Sequence, residues 1–301
     1  MVKVLVSDPI SERAIEGLKN LGCEVYIKTG MDKEELMNTI GEYEVIIVRS
    51  ATKLREDILS KAKNLKLIIR GGVGLDNIDL EAAKKLGITV KNTPSASAIS
   101  VAELAIGMMF ALSRRLSEAD RSMKDGKWEK KKFKGTELYG KTLGVIGLGN
   151  IGIEVCKRAT CLGMKVLGYD VVKKENLPEG VTQVNMDELL SNSHIITLHV
   201  PFIKEVGAVI GEKEFEKMKD GIILINCARG GVVDEKALLK YLKNGKIKAA
   251  GIDVYETEPP TFREFIEMDN CLCTPHIGAS TKEGQDRVGD EIVKIVEEYI
   301  S

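Results

Sequence analysis

Three short runs carry side chains suited to moving a proton or gripping a carboxylate, and a fourth has the spacing of a phosphate-binding turn. Thr274-Pro275-His276-Ile277-Gly278 follows the apolar run CLC. A histidine at the carboxyl end of a strand suits general acid and base work, because imidazole changes charge near neutral pH. A carboxylate on its other ring nitrogen would fix the tautomer and favour the charged form. Asp253 or Glu258, both in Asp253–Pro260 (DVYETEPP), could supply that carboxylate. Asn226-Cys227-Ala228-Arg229-Gly230-Gly231 follows GIILIN. In open α/β sheets ligands sit beyond the carboxyl ends of strands, so Arg229 would face one, and its planar guanidinium can take a carboxylate two-handed. The fourth run, Gly147-Leu148-Gly149-Asn150-Ile151-Gly152, has the G-x-G-x-x-G pattern. Gly147 would permit a tight turn, Gly149 close approach of a pyrophosphate, and Gly152 close packing of helix on strand.

Those residues need strands to end beside them. Residues 143–146 form an apolar run before the glycine turn, a helical pattern covers 151–162, and a second apolar run at 165–169 ends on Asp170. That is a βαβ unit with an acid placed to meet an adenosine ribose, and the start of its helix offers N–H groups to phosphates. Further strands are expected at 194–199, 222–226, 249–254 and 271–274, which makes six in this half of the chain. In the first half, strands at 2–7, 24–27, 45–48, 67–70 and 88–90 alternate with amphipathic helices near 12–21, 33–40, 55–62 and 80–86. Such alternation predicts parallel sheets covered on both faces. The turn-rich 92–97 marks a boundary, and 99–124 reads as one long helix, apolar nearly all round in its first half. It is either a connector that also meets a second subunit or the central core helix of one domain. His194 and His199 lie on a strand and are read as structural.

The chain is 301 residues long, 44% hydrophobic and 30% charged, with a formal net charge of −1. That describes a soluble globular protein of two domains, with no global field for nucleic acid and no apolar run long enough to span a membrane. The opening MVKVLVSDP lacks the build of a signal peptide, and six scattered cysteines read as reduced thiols, so a cytoplasmic location is expected. Cys271-x-Cys273 lacks a second pair, and no metal site is expected.

Taken together, Gly147–Gly152, Asn226–Glu235 (NCARGGVVDE), Asp253–Pro260 and Pro275–Lys282 (PHIGASTK) resemble the D-2-hydroxyacid dehydrogenase family. Arg70–Asp79 (RGGVGLDNID), Asn92–Leu104 and Gly126–Leu138 (GKWEKKKFKGTEL) are similar to the branch of it that acts on D-3-phosphoglycerate. The resemblance implies an α/β protein of two doubly wound parallel-sheet domains. A Rossmann-type NAD-binding domain, residues 95–281 with the connecting helix 99–124, would be inserted into a flavodoxin-like substrate domain made of 1–94 and 282–301. It implies NAD as cofactor, a small-molecule substrate, and a homodimer formed through the cofactor domain. The catalytic set would be Arg229, Glu258 and His276. His276 would take the hydroxyl proton, Glu258 would orient it, and Arg229 would bind the substrate carboxylate.

Cofactor contacts implied in the same way are Gly147, Gly149, Asn150, Ile151, Gly152, Asp170, Val200, Cys227, Ala228, Arg229, Asp253, His276, Gly278 and Ala279. Val200 stands where relatives often have threonine, which removes a side-chain hydrogen bond. Substrate contacts would come from Gly72, Val73 and Gly74 through their N–H groups, and from Arg229 and His276. A 3-phosphate needs further cations, and Arg49 and Arg70, at two strand ends of one sheet, are the candidates, with Ser50 adding a hydroxyl. The resemblance suggests that Lys130–Lys132 reach a neighbouring subunit; solvated surface lysines are the alternative. The implied reaction is oxidation of D-3-phosphoglycerate to 3-phosphohydroxypyruvate, the first step of serine biosynthesis, by a form that lacks the regulatory domains many relatives carry. Reduction of glyoxylate, hydroxypyruvate or another 2-oxo acid is the alternative within the family. A corepressor-like protein that senses NAD(H) is the alternative from another class.

Overall fold

The runs VIIV and IILIN, apolar but for the last residue of the second, are buried along their whole length, as parallel strands covered on both faces must be. The computed structural model describes all residues 1–301. They divide into one unit made of Met1–Ser97 with Ala279–Ser301, and a second made of Ala98–Gly278.

The first unit is a five-stranded parallel sheet of β1 (Lys3–Val6), β2 (Glu24–Ile27), β3 (Val45–Val48), β4 (Leu67–Arg70) and β5 (Thr89–Asn92). Its order, β2-β1-β3-β4-β5, is that of flavodoxin-like sheets. The strand order reverses between β1 and β3, so a crevice opens at their carboxyl ends. α1 (Glu12–Asn20), capped by the Ser11 side chain, packs against the last helix, α11 (Lys282–Ile300), capped by Thr281. Gly17 faces Val293 and Gly289 faces Ala14, so the two helices meet where side chains are smallest. α2 (Lys33–Thr39), α3 (Glu56–Leu59) and α4 (Leu80–Lys85) complete this unit.

The second unit holds seven parallel strands: β6 (Thr142–Ile146), β7 (Lys165–Tyr169), β8 (Val181–Gln183), β9 (Ile195–Leu198), β10 (Ile222–Asn226), β11 (Ile247–Ile252) and β12 (Cys271–Cys273). Their order is β12-β11-β10-β9-β6-β7-β8, the dinucleotide-binding order with one strand added at the β11 edge. Six strands are expected from the sequence; the one it does not predict is β8, at the opposite edge, a three-residue, half-exposed strand (VTQ) with no apolar run to betray it.

α5 (Ala98–Arg114) buries residues from Ala98 to Ser113 within this unit and packs on α7 (Asn150–Cys161), β10 and β11. It is therefore a core helix of the unit. The expected continuous helix 99–124 is broken at Arg115, which takes the left-handed conformation (φ 53°) before α6 (Leu116–Lys124) begins. Arg115 is held there by both carboxylate oxygens of Glu118, by the Lys132 carbonyl at 2.8 Å, and by the Phe133 ring, 5.4 Å from its guanidinium. These contacts offset the roughly 1–2 kcal/mol that left-handed backbone costs a residue with a Cβ. α8 (Met186–Asn192), α9 (Glu212–Lys217) and α10 (Glu235–Lys243) cover the other face. No helix of the chain is long and apolar enough to cross a membrane.

Candidate active site

The glycine turn follows β6 at the point where β6 and β9, neighbours in the sheet, reverse the strand order. Gly147 has φ 96°, and a Cβ there would lie 2.5 Å from the His199 carbonyl oxygen, so no side chain is admissible. Gly152 lies equally tight against the Gly147 carbonyl. Gly149, by contrast, has nothing within 4 Å of where its Cβ would be, and it starts α7 with no side-chain cap. An open approach to an uncapped helix start suits a pyrophosphate.

At the end of β7, Asp170 accepts from Leu148 N at 2.9 Å and Val172 N at 3.0 Å, with Lys174 Nζ at 3.4 Å. Partial burial alone would raise the pKa of this carboxyl. The two N–H groups and Lys174 more than reverse that and hold it below the ordinary carboxylate value. A permanently charged acceptor beside the glycine turn fits ribose hydroxyls. Cradle and acceptor together therefore fit a dinucleotide with an unphosphorylated ribose. Val200 lines the same turn, its Cγ1 2.8 Å from the would-be Cβ of Gly147.

Three turns, after β10, β11 and β12, carry the chemistry-bearing side chains, and the last two meet. His276 Nδ1 lies 2.7 Å from Glu258 Oε2, and Glu258 Oε1 accepts from Tyr255 N at 3.2 Å. Of the two carboxylates compatible with the sequence, Glu258 is the one on the ring. A carboxylate only accepts, so Nδ1 carries the proton and a neutral His276 presents the Nε2 lone pair. His276 itself is exposed and sits in the left-handed region (φ 53°).

Asp253 holds it so. Buried at 1% exposure, Asp253 accepts from Thr274 Oγ1 (2.6 Å) and Ile277 N (2.8 Å) on Oδ1 and from Gly278 N (2.8 Å) on Oδ2, while its carbonyl accepts from His276 N. Its observed contacts are with the histidine turn, not with the open cradle. Ala279 is half-buried where the chain passes into the first unit.

Arg229 is half-buried and donates to the Ala228 carbonyl at 2.7 Å. Its turn is set by Asn226, whose amide donates to the Arg229 carbonyl (3.1 Å) and accepts from Ala228 N (3.1 Å). Gly230 presses directly on the Tyr255 carbonyl, where a Cβ could not fit. Glu235, buried and with its pKa raised chiefly by desolvation, accepts from Glu256 N at 2.8 Å. The turn bearing Arg229 is thus fastened to the turn bearing Glu258. Neither Asn226 nor Glu235 is recognisable from sequence, because each acts on backbone supplied by another loop. The Cys227 thiol is buried against Met108 Sδ at 3.8 Å, and burial pushes its pKa up, so only its backbone is free to meet a ligand. Cys271 and Cys273 have their sulfurs 3.5 Å apart, and no group of three His, Cys, Asp or Glu residues is placed to hold a metal ion.

The remaining histidines do structural work. His194 Nδ1 accepts from Thr142 N at 3.0 Å, and His199 Nε2 lies 3.0 Å from Thr197 Oγ1.

In the first unit, the loop after β3 sits at the β1/β3 reversal. Asp8 accepts from Arg49 N (2.5 Å), Thr52 N (3.1 Å) and Thr52 Oγ1 (2.8 Å), and Asn77 donates to the Arg49 and Thr52 carbonyls, both at 2.7 Å. Arg49 Nη1 donates to Gln285 Oε1 at 2.5 Å; desolvation lowers its pKa, partly countered by Asp8. Arg70, at the end of the adjacent β4, lays its guanidinium over Gly72. Ser50 is exposed, and Val73 and Gly74 are half-buried, the Val73 carbonyl accepting from Asn92 at 2.6 Å. Asp8 and Asn77 are a second positioning pair without a sequence signature.

Comparison with known proteins places these features. The family profile described as D-isomer specific 2-hydroxyacid dehydrogenase, NAD binding domain, matches residues 106–278. A D-3-phosphoglycerate dehydrogenase of Archaeoglobus fulgidus is 53% identical over 291 residues, covering 96% of this chain but 55% of the relative, so the chain spans about half that protein's length. A hydroxypyruvate reductase of Thermotoga maritima is 51% identical over 296 residues, covering 97% of this chain and 96% of the relative. The crystal structure of a D-lactate dehydrogenase from Aquifex aeolicus, complexed with NAD and lactic acid, is 37% identical with a TM-score of 0.87, covering 99% of this chain and 95% of that one.

Proposed function

The chain belongs to the D-isomer specific 2-hydroxyacid dehydrogenase family, and from that membership we propose an NAD-dependent oxidoreductase that oxidises D-3-phosphoglycerate at carbon 2. The observation that carries the chemistry is the 2.7 Å contact between His276 Nδ1 and Glu258, whose turn is fastened to the one bearing Arg229. NAD, when bound, supplies the acceptor for a hydride. Gly147, Gly149, Asn150, Ile151 and Gly152 would hold its pyrophosphate and Asp170 its ribose, while Cys227, Ala228 and Gly278 offer backbone towards the nicotinamide end. In the oxidative direction His276 Nε2 takes the hydroxyl proton as the carbon–oxygen double bond forms. Glu258 stabilises the imidazolium that results. Arg229 binds the substrate carboxylate and polarises the carbonyl oxygen. In reduction the same Nε2–H returns the proton.

Arg49 and Arg70, on adjacent strands, are the cations we assign to the 3-phosphate, with Ser50 adding a hydroxyl, while the Gly72–Gly74 N–H groups would join Arg229 on the carboxylate. Charge-assisted hydrogen bonds to phosphate contribute about 1.5–3 kcal/mol each, so Arg49→Ala should lower kcat/KM for phosphoglycerate about 10–100-fold. Oxidation of an unphosphorylated D-2-hydroxy acid should change little. Equal losses on both substrates would make Arg49 a general organiser of its loop and remove the phosphate assignment.

The second reading is a hydroxypyruvate or glyoxylate reductase, favoured by the near full-length match to the Thermotoga maritima reductase. Wild-type preference for hydroxypyruvate over the phosphorylated acids would promote it. Tight NADH binding without turnover of any hydroxy acid would point instead to a cofactor-sensing protein. We also propose a homodimer through the second unit. Exposed Leu116 on α6, with exposed Met123 and Trp128 lining a hollow of about 460 Å³, is the surface that supports it. A monomer by light scattering would refute this.

A further inference from the structure

At the amino edge of the seven-stranded sheet, opposite the end that carries Gly149 and His276, the second unit has a small cavity of about 100 Å³. Lys141 precedes β6, His194 precedes β9, Lys219 precedes β10 and Lys248 lies on β11, and all four line it. The one acid in its wall, Asp220, is paired with Lys246 at 3.0 Å. Lys219 Nζ is steadied by the Asn192 carbonyl at 2.7 Å, whereas Lys141 and Lys248 have no carboxylate partner. Positive charge therefore accumulates here without internal compensation, in a protein whose net charge is −1.

One further observation points to a ligand. His194 accepts from Thr142 N through Nδ1, so the neutral ring carries its proton on Nε2 and has a donor to spare. Its pKa is held below the ordinary histidine value by partial burial first, then by Lys219 and Lys141, the signature of a positive field around the ring.

We propose that this cavity is a second binding site of the chain, taking a small tetrahedral oxyanion of the phosphate or sulfate class. The donor set decides the class: lysines at the starts of three strands and a histidine N–H line the cavity, and its one acid is already paired, which suits a compact anion with several acceptor oxygens. Because the site lies at the opposite edge from the glycine turn, its occupant does not compete with the dinucleotide. The inference is independent of which hydroxy acid the enzyme oxidises.

The chain has three histidines, which provide reporters at three places. Isotopically labelled histidine, saturating NADH and a titration with inorganic phosphate at constant ionic strength form the experiment. The His194 resonance should move saturably and its titration should shift to higher pH, because a bound dianion opposes the lysine field. His199 and His276 should stay in place. Lys141→Met and Lys248→Met should each weaken phosphate binding about tenfold while leaving the fold and the turnover rate intact. Chloride producing the same movement, a response unchanged in the Lys141→Met/Lys248→Met double variant, or movement confined to His276 would each overturn the proposal.

Discussion

Replacing Asp253 with asparagine separates two roles for a residue at the centre of the reactive turns. One is direct contact with the cofactor; the other is support of the histidine turn from beneath. Its carboxylate accepts three hydrogen bonds, from Thr274 Oγ1, Ile277 N and Gly278 N. An asparagine amide can keep the first two on its oxygen but turns an NH2 towards Gly278 N, leaving two donors face to face. One charge-assisted bond is lost and a buried N–H is unpaired, a cost of about 1.5–3 kcal/mol. For a unit of this size each kcal/mol lowers Tm by roughly 2–4 °C, so a drop of about 3–12 °C is expected. His276 is positioned through this turn, and a displacement near 1 Å at a reacting group costs about a hundredfold, so kcat should fall about 10–100-fold. NADH affinity, read by fluorescence titration, should stay within about threefold if the lost interactions contribute little to cofactor binding. A variant with unchanged Tm and kcat but cofactor affinity reduced more than about tenfold would refute the support role and make Asp253 a cofactor ligand.

His276→Asn should lower kcat by about 10²–10⁴ while NADH still binds, measured by stopped-flow turnover beside the same fluorescence titration; retention of a tenth of the rate would remove His276 as the proton carrier. Asp170→Ser should narrow the preference for NAD over NADP, because the carboxylate that repels a 2′-phosphate is gone; an unchanged ratio of kcat/KM values would dissociate Asp170 from the ribose. His199 gives a stability prediction with a defined sign. Its Nδ1 is shielded without a partner, and burial pushes its pKa down to about 3 from the ordinary 6.5. The unfolded chain therefore takes up a proton that the folded one refuses, and stability present above the unfolded value is lost as pH falls towards the folded one. The slope is at most about 1.4 kcal/mol per pH unit from this group. Chemical unfolding of His199→Gln over that window should show a shallower acid slope; an identical slope would assign the loss to other groups.

Parallel sheets in both units were readable because VIIV, LIIR and IILIN have no polar alternation and are separated by amphipathic helices. β8 was not, since Val181–Gln183 is too short and too exposed to leave an apolar trace. The break at Arg115 was hidden for a different reason: no glycine or proline marks it, and the left-handed turn is held by Glu118, Lys132 and Phe133. Residue types at strand ends brought attention to Arg229, Glu258 and His276, but spacing left Asp253 and Glu258 equivalent as partners for the imidazole. Hydrogen-bond geometry separates them. Residues that position others escaped the sequence, because Asn226, Glu235, Asp8 and Asn77 act on backbone N–H and C=O groups of other loops, and such contacts have no local pattern.

The fastening of the turn after β10 to the turn after β11 bears on how this enzyme can change over time. Gly230 against the Tyr255 carbonyl, Glu235 on Glu256 N, and the Asn226 carbonyl on Asp253 N make two distant stretches of chain one inheritable object. A substitution in either stretch is felt by the other, so acceptable changes must arrive in compatible pairs. The loop holding Arg49 is fastened to Ser7, Asp8, Asn77 and Gln285, all within its own unit. If Arg49 grips the substrate as proposed, changes in this loop alter substrate preference among descendants while the turns after β10 and β11 stay as they are.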